Sequence, residues 1–181
     1  MKYNKTITLK DGRTCCLRNG EEKDGAAVLA NFNLTHQETD NLLTYPDENT
    51  FDEKQEAEFL KSMEESENEI EMLAVIDGVV AGTAGFHSMG NKYKMKHRAD
   101  FGIAIAKEYW GLGIGKALTK ACIQCAREAG YTQLELEVVA ENESAVAMYE
   151  KAGFVAFGRN PRGFNSRQTG YQEVVSMRLE L

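Results

Sequence analysis

Gly111, Gly113 and Gly115 occupy alternate positions where the stretch 104–118 passes from an expected strand into a helical pattern. Glycines so spaced let backbone N–H groups approach a ligand with no side chain in the way. The helix that follows aims its unpaired N–H groups and the positive end of its dipole at the same point. The chemistry implied is anion binding, with a pyrophosphate as the expected guest. The spacing is G-x-G-x-G, which departs from the G-x-G-x-x-G of dinucleotide folds. Nor does it make a nucleotide P-loop, because Lys116 is followed by Ala117 rather than Ser or Thr. On this motif alone, a tight strand-to-helix connection is an equally good reading.

A second cluster lies in residues 140–154, where Tyr149 follows Asn142 by seven positions, two turns along one helix face. By itself Tyr149, beside Ala145 and Met148, reads as a core aromatic. Asn142 reads as a helix N-cap. Together the two segments resemble the acetyl-CoA-binding core of the GNAT superfamily of N-acetyltransferases. That core pairs a Gln/Arg-x-x-Gly-x-Gly/Ala turn with a later helix carrying Asn, Ala and Tyr and closing on Gly-Phe. Here Gly113, Gly115, Asn142, Ala145, Tyr149 and Gly153-Phe154 appear in that order, with Trp110 as the departure from Gln or Arg. The resemblance covers about residues 70–158.

The resemblance implies an acetyl-CoA cosubstrate and an α/β fold of α+β type. Its sheet would be mixed and mainly antiparallel, with about four helices and splayed central strands. It implies a pantetheine arm against Ile103 and Ile105, and a pyrophosphate on the N–H groups of Gly111, Leu112, Gly113, Ile114, Gly115 and Lys116. Asn142 would support the arm, and the Tyr149 hydroxyl would protonate the departing thiolate. Asp100, where related sequences place a Glu, would accept the proton of the amine, with Glu71 and His87 as rivals. No serine or cysteine sits beside a base at motif spacing, so direct attack by the amine is the simpler route. The acceptor would be a small-molecule amine or a protein N-terminal amine. A non-catalytic acyl-CoA-binding regulator on the same scaffold is the alternative.

The elements that must position these groups are legible in outline. Asp11-Gly12 and Asp77-Gly78 mark hairpin turns between apolar runs. Helical patterns run over 21–36, 52–66, 115–129 and 142–152, with strands at 100–106 and 134–138. Two further strands are expected at 154–159 and 172–180, with 159–171 between them as a loop, either a substrate-facing flap or a wide hairpin turn. The glycine turn is expected near the surface, so that filling it costs binding more than folding.

The length of 181 residues fits one domain, 1–181, with an ordinary 43% hydrophobic and 27% charged content. No apolar run has the length of a membrane span and the start lacks signal-peptide character, so a cytoplasmic location is expected, with no membrane partner. The net charge of −7 argues against nucleic acid. Residues 47–71 alone carry −9, eleven carboxylates against Lys54 and Lys61, which leaves +2 for the rest of the chain. That segment suggests a cationic acceptor or merely an acidic helix face. The basic run from Lys92 to Arg98 reads as a solvated hairpin tip. Cysteines 15, 16, 122 and 125 and histidines 36, 87 and 97 lack ligand spacing, so reduced thiols and no metal are expected. The oligomeric state is open, a homodimer included.

Overall fold

Turns with left-handed residues set up the first half of the sheet. Gly12 (φ 88°) sits between Asn4–Thr8 (β1) and Thr14–Asn19 (β2). Asp77 (φ 50°) and Gly78 (φ 83°) close Ile70–Ile76 (β3) onto Val79–Ser88 (β4). Both pairs are antiparallel, as Asp-Gly turns between alternating apolar residues require. The computed structural model describes all 181 residues.

The remaining strands are Arg98–Ile105 (β5), Gln133–Val139 (β6), Val155–Ser166 (β7) and Gly170–Glu180 (β8), and they complete one eight-stranded sheet. Its order is β1-β2-β3-β4-β5-β6-β8-β7, and only the β5–β6 pairing is parallel. Helices Gly25–Glu38 (α1) and Glu53–Glu65 (α2) cover one face. Ile114–Glu128 (α3) and Glu143–Ala152 (α4) cover the other. The mixed, mainly antiparallel sheet with four helices is the one expected.

Strand alternation divides the core between these two faces. In β3, Met72 and Ala74 join the large cluster with Phe86, Leu118 and Met177, while Leu73 packs on Val28 of α1 and Leu60 of α2. Reciprocal capping starts α2: the Gln55 N–H donates to Asp52 Oδ1 (2.8 Å), and the Asp52 N–H donates to Gln55 Oε1 (2.9 Å). Along α3, Leu118, Ala121, Cys122 and Cys125 form the buried stripe. Gly130 (φ 85°) follows the helix end. None of the four cysteines is bridged. No helix is long and apolar enough to cross a membrane.

Three segments differ from the sequence reading. The first helix begins with a short 3₁₀ turn, Glu22–Asp24, and becomes α-helical at Gly25. Arg98 belongs to β5 and pairs with Glu135, outside the turn-rich segment that holds the rest of the basic run. The stretch 159–171 is not a loop: β7 continues to Ser166, and β8 starts at Gly170. Pro161 is tolerated because β7 is the sheet edge and its register breaks between Asn160 and Phe164.

Candidate active site

Strand β5 pairs with β4 along its length, from Ser88↔Ala99 to Gly82↔Ile105. Its parallel pairing with β6 covers only Arg98–Asp100 against Gln133–Glu135. At that closed end Arg98 and the buried Glu135 lock the strands with charge-assisted bonds, one of them from Nη2 to Oε2 at 2.6 Å. The Arg98 guanidinium holds the Glu135 carboxyl below the usual range. Beyond Asp100 the strands part, because β6 stays bonded to β8 through Val139. A cleft of about 730 Å³ opens between them, lined by β5, β6, the glycine turn, α4 and residues 39–43. The β6-facing backbone of residues 101–105 is left without a strand partner.

The glycine turn closes one end of this cleft. Gly111 (φ 79°) and Gly113 (φ 95°) are left-handed, and Gly113 is the N-cap of α3. The N–H groups of residues 111–116 donate to no carbonyl in the chain. Six consecutive unpaired donors at a helix start form a ready anion cradle. A Cβ on Gly111 or Gly113 would meet nothing within 4 Å, so both are open to a ligand. Their φ values nonetheless strain any other residue, so filling the turn adds a folding cost to the expected binding cost. Gly115 serves packing instead: a Cβ there would lie 2.9 Å from Met148 Sδ and 3.3 Å from Ile105 Cδ1. Trp110 contributes more than backbone, since its Nε1–H donates to the Ile105 carbonyl at 2.7 Å and holds the turn against the strand.

Helix α4 supplies the side chains in the middle. Asn142 caps the helix, its Oδ1 accepting from Ala145 N–H (3.3 Å) and Ser144 Oγ (3.2 Å). The residue also lines the cleft, so the capping role does not withdraw it from that wall. Tyr149 is 7% exposed and stands edge-on to Phe101 and Phe154, with centroids 6.3 and 5.8 Å away. Burial alone pushes its phenol pKa upward, with no hydrogen bond contributing. The residue is both core aromatic and cleft wall.

Of the three base candidates, Asp100 alone lines the cleft. Burial raises its pKa, with Glu137 and Glu135 adding to the rise and His87 opposing it. His87 faces it across the β4–β5 pairing, Nε2 to Oδ2 3.8 Å. Glu71 sits apart on β3, where its carboxylate fills the space above Gly85. No carboxylate of 47–71 lines the cleft, so that segment does not make the site acidic. Its Asp47 and Glu48 instead pair with Arg167 (2.8 and 3.5 Å).

The far wall was not visible as a motif. Leu42, Leu43 and Phe164 line both the main cleft and an adjoining pocket of about 210 Å³. Their segments are joined through Asp40, whose carboxylate accepts from Ser166 Oγ (2.5 Å), Tyr45 OH (3.0 Å), Thr169 Oγ1 (3.2 Å) and Gln172 Nε2 (3.3 Å). These donors hold the Asp40 carboxyl below its ordinary range. The sequence marked 159–171, which holds Phe164, as a flap or hairpin turn but offered no motif for Leu42 and Leu43. Glu137 of β6, also in the lining, was missed because it alternates as an outward residue.

Known proteins share this fold. A GNAT-family acetyltransferase from Streptococcus pneumoniae matches with a TM-score of 0.88 at 30% identity, covering 92% of this chain and 99% of that one. A Salmonella typhimurium protein solved with its cofactor acetyl-CoA matches in fold, with a TM-score of 0.80 at 18% identity, over 92% of this chain and 94% of that one. Mycothiol acetyltransferase of Paenarthrobacter aurescens is 47% identical over 53 residues, a segment spanning 29% of this chain and 16% of that protein. The Acetyltransferase (GNAT) family model matches residues 35–154, from α1 through the splayed strands and glycine turn to the end of α4. With the cleft built from these same elements, the chain belongs to the GNAT family of acetyltransferases.

Proposed function

We propose that this protein transfers the acetyl group of acetyl-CoA to a primary amine by direct attack. The observation that carries the reading is the run of six unpaired N–H groups at residues 111–116, in one cleft with the unpaired edge of β5 and Tyr149. The cradle suits a pyrophosphate, and the edge of residues 101–105 suits the amides of a pantetheine arm, which would add to it as a strand does. Ile103 and Ile105 supply apolar contact there, and the Asn142 side chain lies at the same wall.

In this reading the amine nitrogen attacks the thioester carbonyl, the C–S bond breaks, and the amine proton passes to Asp100. The raised pKa of Asp100 makes it a better proton acceptor than an exposed carboxylate. Tyr149 stays protonated at neutral pH and donates to the sulfur as negative charge develops. A phenol pushed above its usual pKa is a weaker acid than a thiol with pKa about 8.5, so donation stabilises the thiolate more than it transfers a proton. A buried phenol with no partner in the chain favours catalysis over ligand storage alone. The acceptor is a small-molecule amine or a protein N-terminal amine.

The test combines stabilisation with turnover. Acetyl-CoA at ~1,000 times Kd should add about 4 kcal/mol to the native state. The melting temperature should then rise by several degrees, with no effect from NAD or ATP. Thiol release should appear when amines are added. Stabilisation without thiol release across a broad amine panel would favour the non-catalytic regulator. An unmoved melting curve would remove the reading altogether.

A further inference from the structure

The charge along the cleft is strongly polarised, and the polarity bears on the acceptor. The two lining cations, Lys10 and Lys116, both stand at the glycine-turn end. Lys116 belongs to the turn, and the Lys10 N–H donates to the Leu112 carbonyl at 3.2 Å. At the other end are Asp100 and Glu137. Asp100 has the His87 imidazole 3.8 Å away, and Glu137 accepts from Ser176 Oγ at 3.3 Å and forms no ion pair. None of the arginines lines the cleft: Arg98 pairs with Glu135, Arg178 with Glu180 (3.6 Å) and Arg159 with Glu173 (3.0 Å), while Arg162 lies over the Tyr171 ring. No lysine or arginine lines this end of the cleft to meet an acceptor carboxylate.

The strand register puts the two carboxylates around open space. Asp100 pairs with Glu135, so Glu137, two residues on, falls opposite Gly102 across the parting strands. A Cβ on Gly102 would meet nothing within 4 Å. The cleft is marked as a ligand site independently of this charge, because Tyr149 is 7% exposed with a hydroxyl that no group in the chain engages.

The apolar component lies next door. Leu43, 73% exposed, stands with Leu42 and Phe164 at the junction of the cleft and the 210 Å³ pocket. The charged group of that pocket, Asp40, is already satisfied by four donors. At the junction itself Leu42, Leu43 and Phe164 present hydrocarbon surface, a placement that rewards an apolar substituent.

We infer that the acceptor is a cationic amine bearing an apolar substituent and no carboxylate, and that Glu137 selects it. The inference rests on the acetyltransferase reading above. An arriving ammonium offsets the repulsion between Asp100 and Glu137, gives one proton to solvent to become the free amine, and passes the second to Asp100 on attack. Glu137 holds the cation in place beforehand. A free amino acid would bring its carboxylate against two like charges, which is selection by repulsion. Leu42, Leu43 and Phe164 receive the substituent.

Three compounds sharing one side chain test this: leucine, leucinamide and 3-methylbutylamine, each followed by thiol release with acetyl-CoA. The amide and the amine should exceed leucine in kcat/KM by roughly 10-fold or more, the effect of losing about one charge contact. Glu137→Gln should raise the KM for 3-methylbutylamine by roughly 10-fold, with kcat and the KM for acetyl-CoA unchanged. Calorimetry of the three compounds on the CoA-bound protein reads the same order without turnover. Preference for leucine, or an unchanged amine KM in Glu137→Gln, overturns the inference while leaving the acetyltransferase reading intact. Loss of stabilisation by acetyl-CoA defeats that reading itself.

Discussion

At the glycine-turn end of the cleft the functional groups belong to the main chain: six N–H donors at 111–116 and the free edge of residues 101–105. At the opposite end they belong to side chains, Asp100, Glu137, Leu42, Leu43 and Phe164, carried by segments far apart in sequence. Main-chain groups present the same donors whatever the neighbouring residue types, so such a site needs only glycines where the backbone must be left-handed or bare. Side-chain groups can be exchanged one at a time without disturbing the strands below them. The fold thus separates a part suited to one constant ligand from a part free to vary with the acceptor.

The sharpest way to break this division is Gly113→Val. The side chain would occupy the face of the cradle and force a β-branched residue to φ 95°. Acetyl-CoA affinity should fall about 10²–10³-fold, as expected for losing two charge-assisted bonds. The fold itself should lose about 1–3 kcal/mol from backbone strain. Calorimetry at a temperature where the variant remains folded separates the two effects. Retained affinity would mean that the phosphates do not use the main chain of this turn.

Tyr149→Phe comes next and probes the middle of the cleft. The ring keeps its contacts with Phe101 and Phe154, so the melting temperature should hardly move. The kcat should drop about 10–100-fold, at or below the lower end for general acid catalysis, with the KM for acetyl-CoA nearly constant. Full turnover would return Tyr149 to a purely structural role. Residues of this kind were legible in the sequence because α4 is local: Asn142 and Tyr149 share one helix face, and Gly153 (φ 101°) ends it. The Asp-Gly turns and the glycine turn were legible for the same reason, each being fixed by φ at one or two positions. Residues 39–43 and Phe164 were not, because they meet only through Asp40 and its partners more than 120 positions away. The extension of β7 past Pro161 escaped too, since its place at the sheet edge is a tertiary fact.

Asp40→Asn tests whether the acceptor wall is held independently of the turn. The neutral side chain keeps one accepting oxygen and loses the charge that gathers Ser166, Tyr45, Thr169 and Gln172. The KM for the amine should rise about 3–10-fold as Leu42, Leu43 and Phe164 lose their alignment, a cost of roughly 1 kcal/mol. Acetyl-CoA affinity should stay within about twofold, below half a kcal/mol. A matching fall in acetyl-CoA affinity would show that the two ends are not separable.

The smallest effect is expected at Glu71, and it sharpens the contrast between a carboxylate inside the cleft and one beside it. Glu71 and Asp100 lie on the same face of the sheet, and burial raises the pKa of both. For Glu71 the rise reaches about 7, with Glu56 repelling it and Thr83 partly offsetting the shift. The side chain keeps some exposure along its length, but its carboxylate end is packed over Gly85, so the shift belongs to that end. The folded state therefore holds one more proton than the unfolded state between about pH 4.5 and 7, and stability declines as pH rises through that window. Glu71→Gln should flatten this decline and raise the melting temperature at pH 8 by a few degrees, since roughly 2–4 °C follow each kcal/mol. It should leave the acid limb of kcat/KM where it was. Asp100→Asn should do the reverse: remove the acid limb, which lies above the ordinary carboxylate range because the base must first lose its proton, and change stability little. If Glu71→Gln removed the limb instead, the base would lie outside the cleft, and the proton path from the amine would have to cross the sheet row through Gly85 and Gly102.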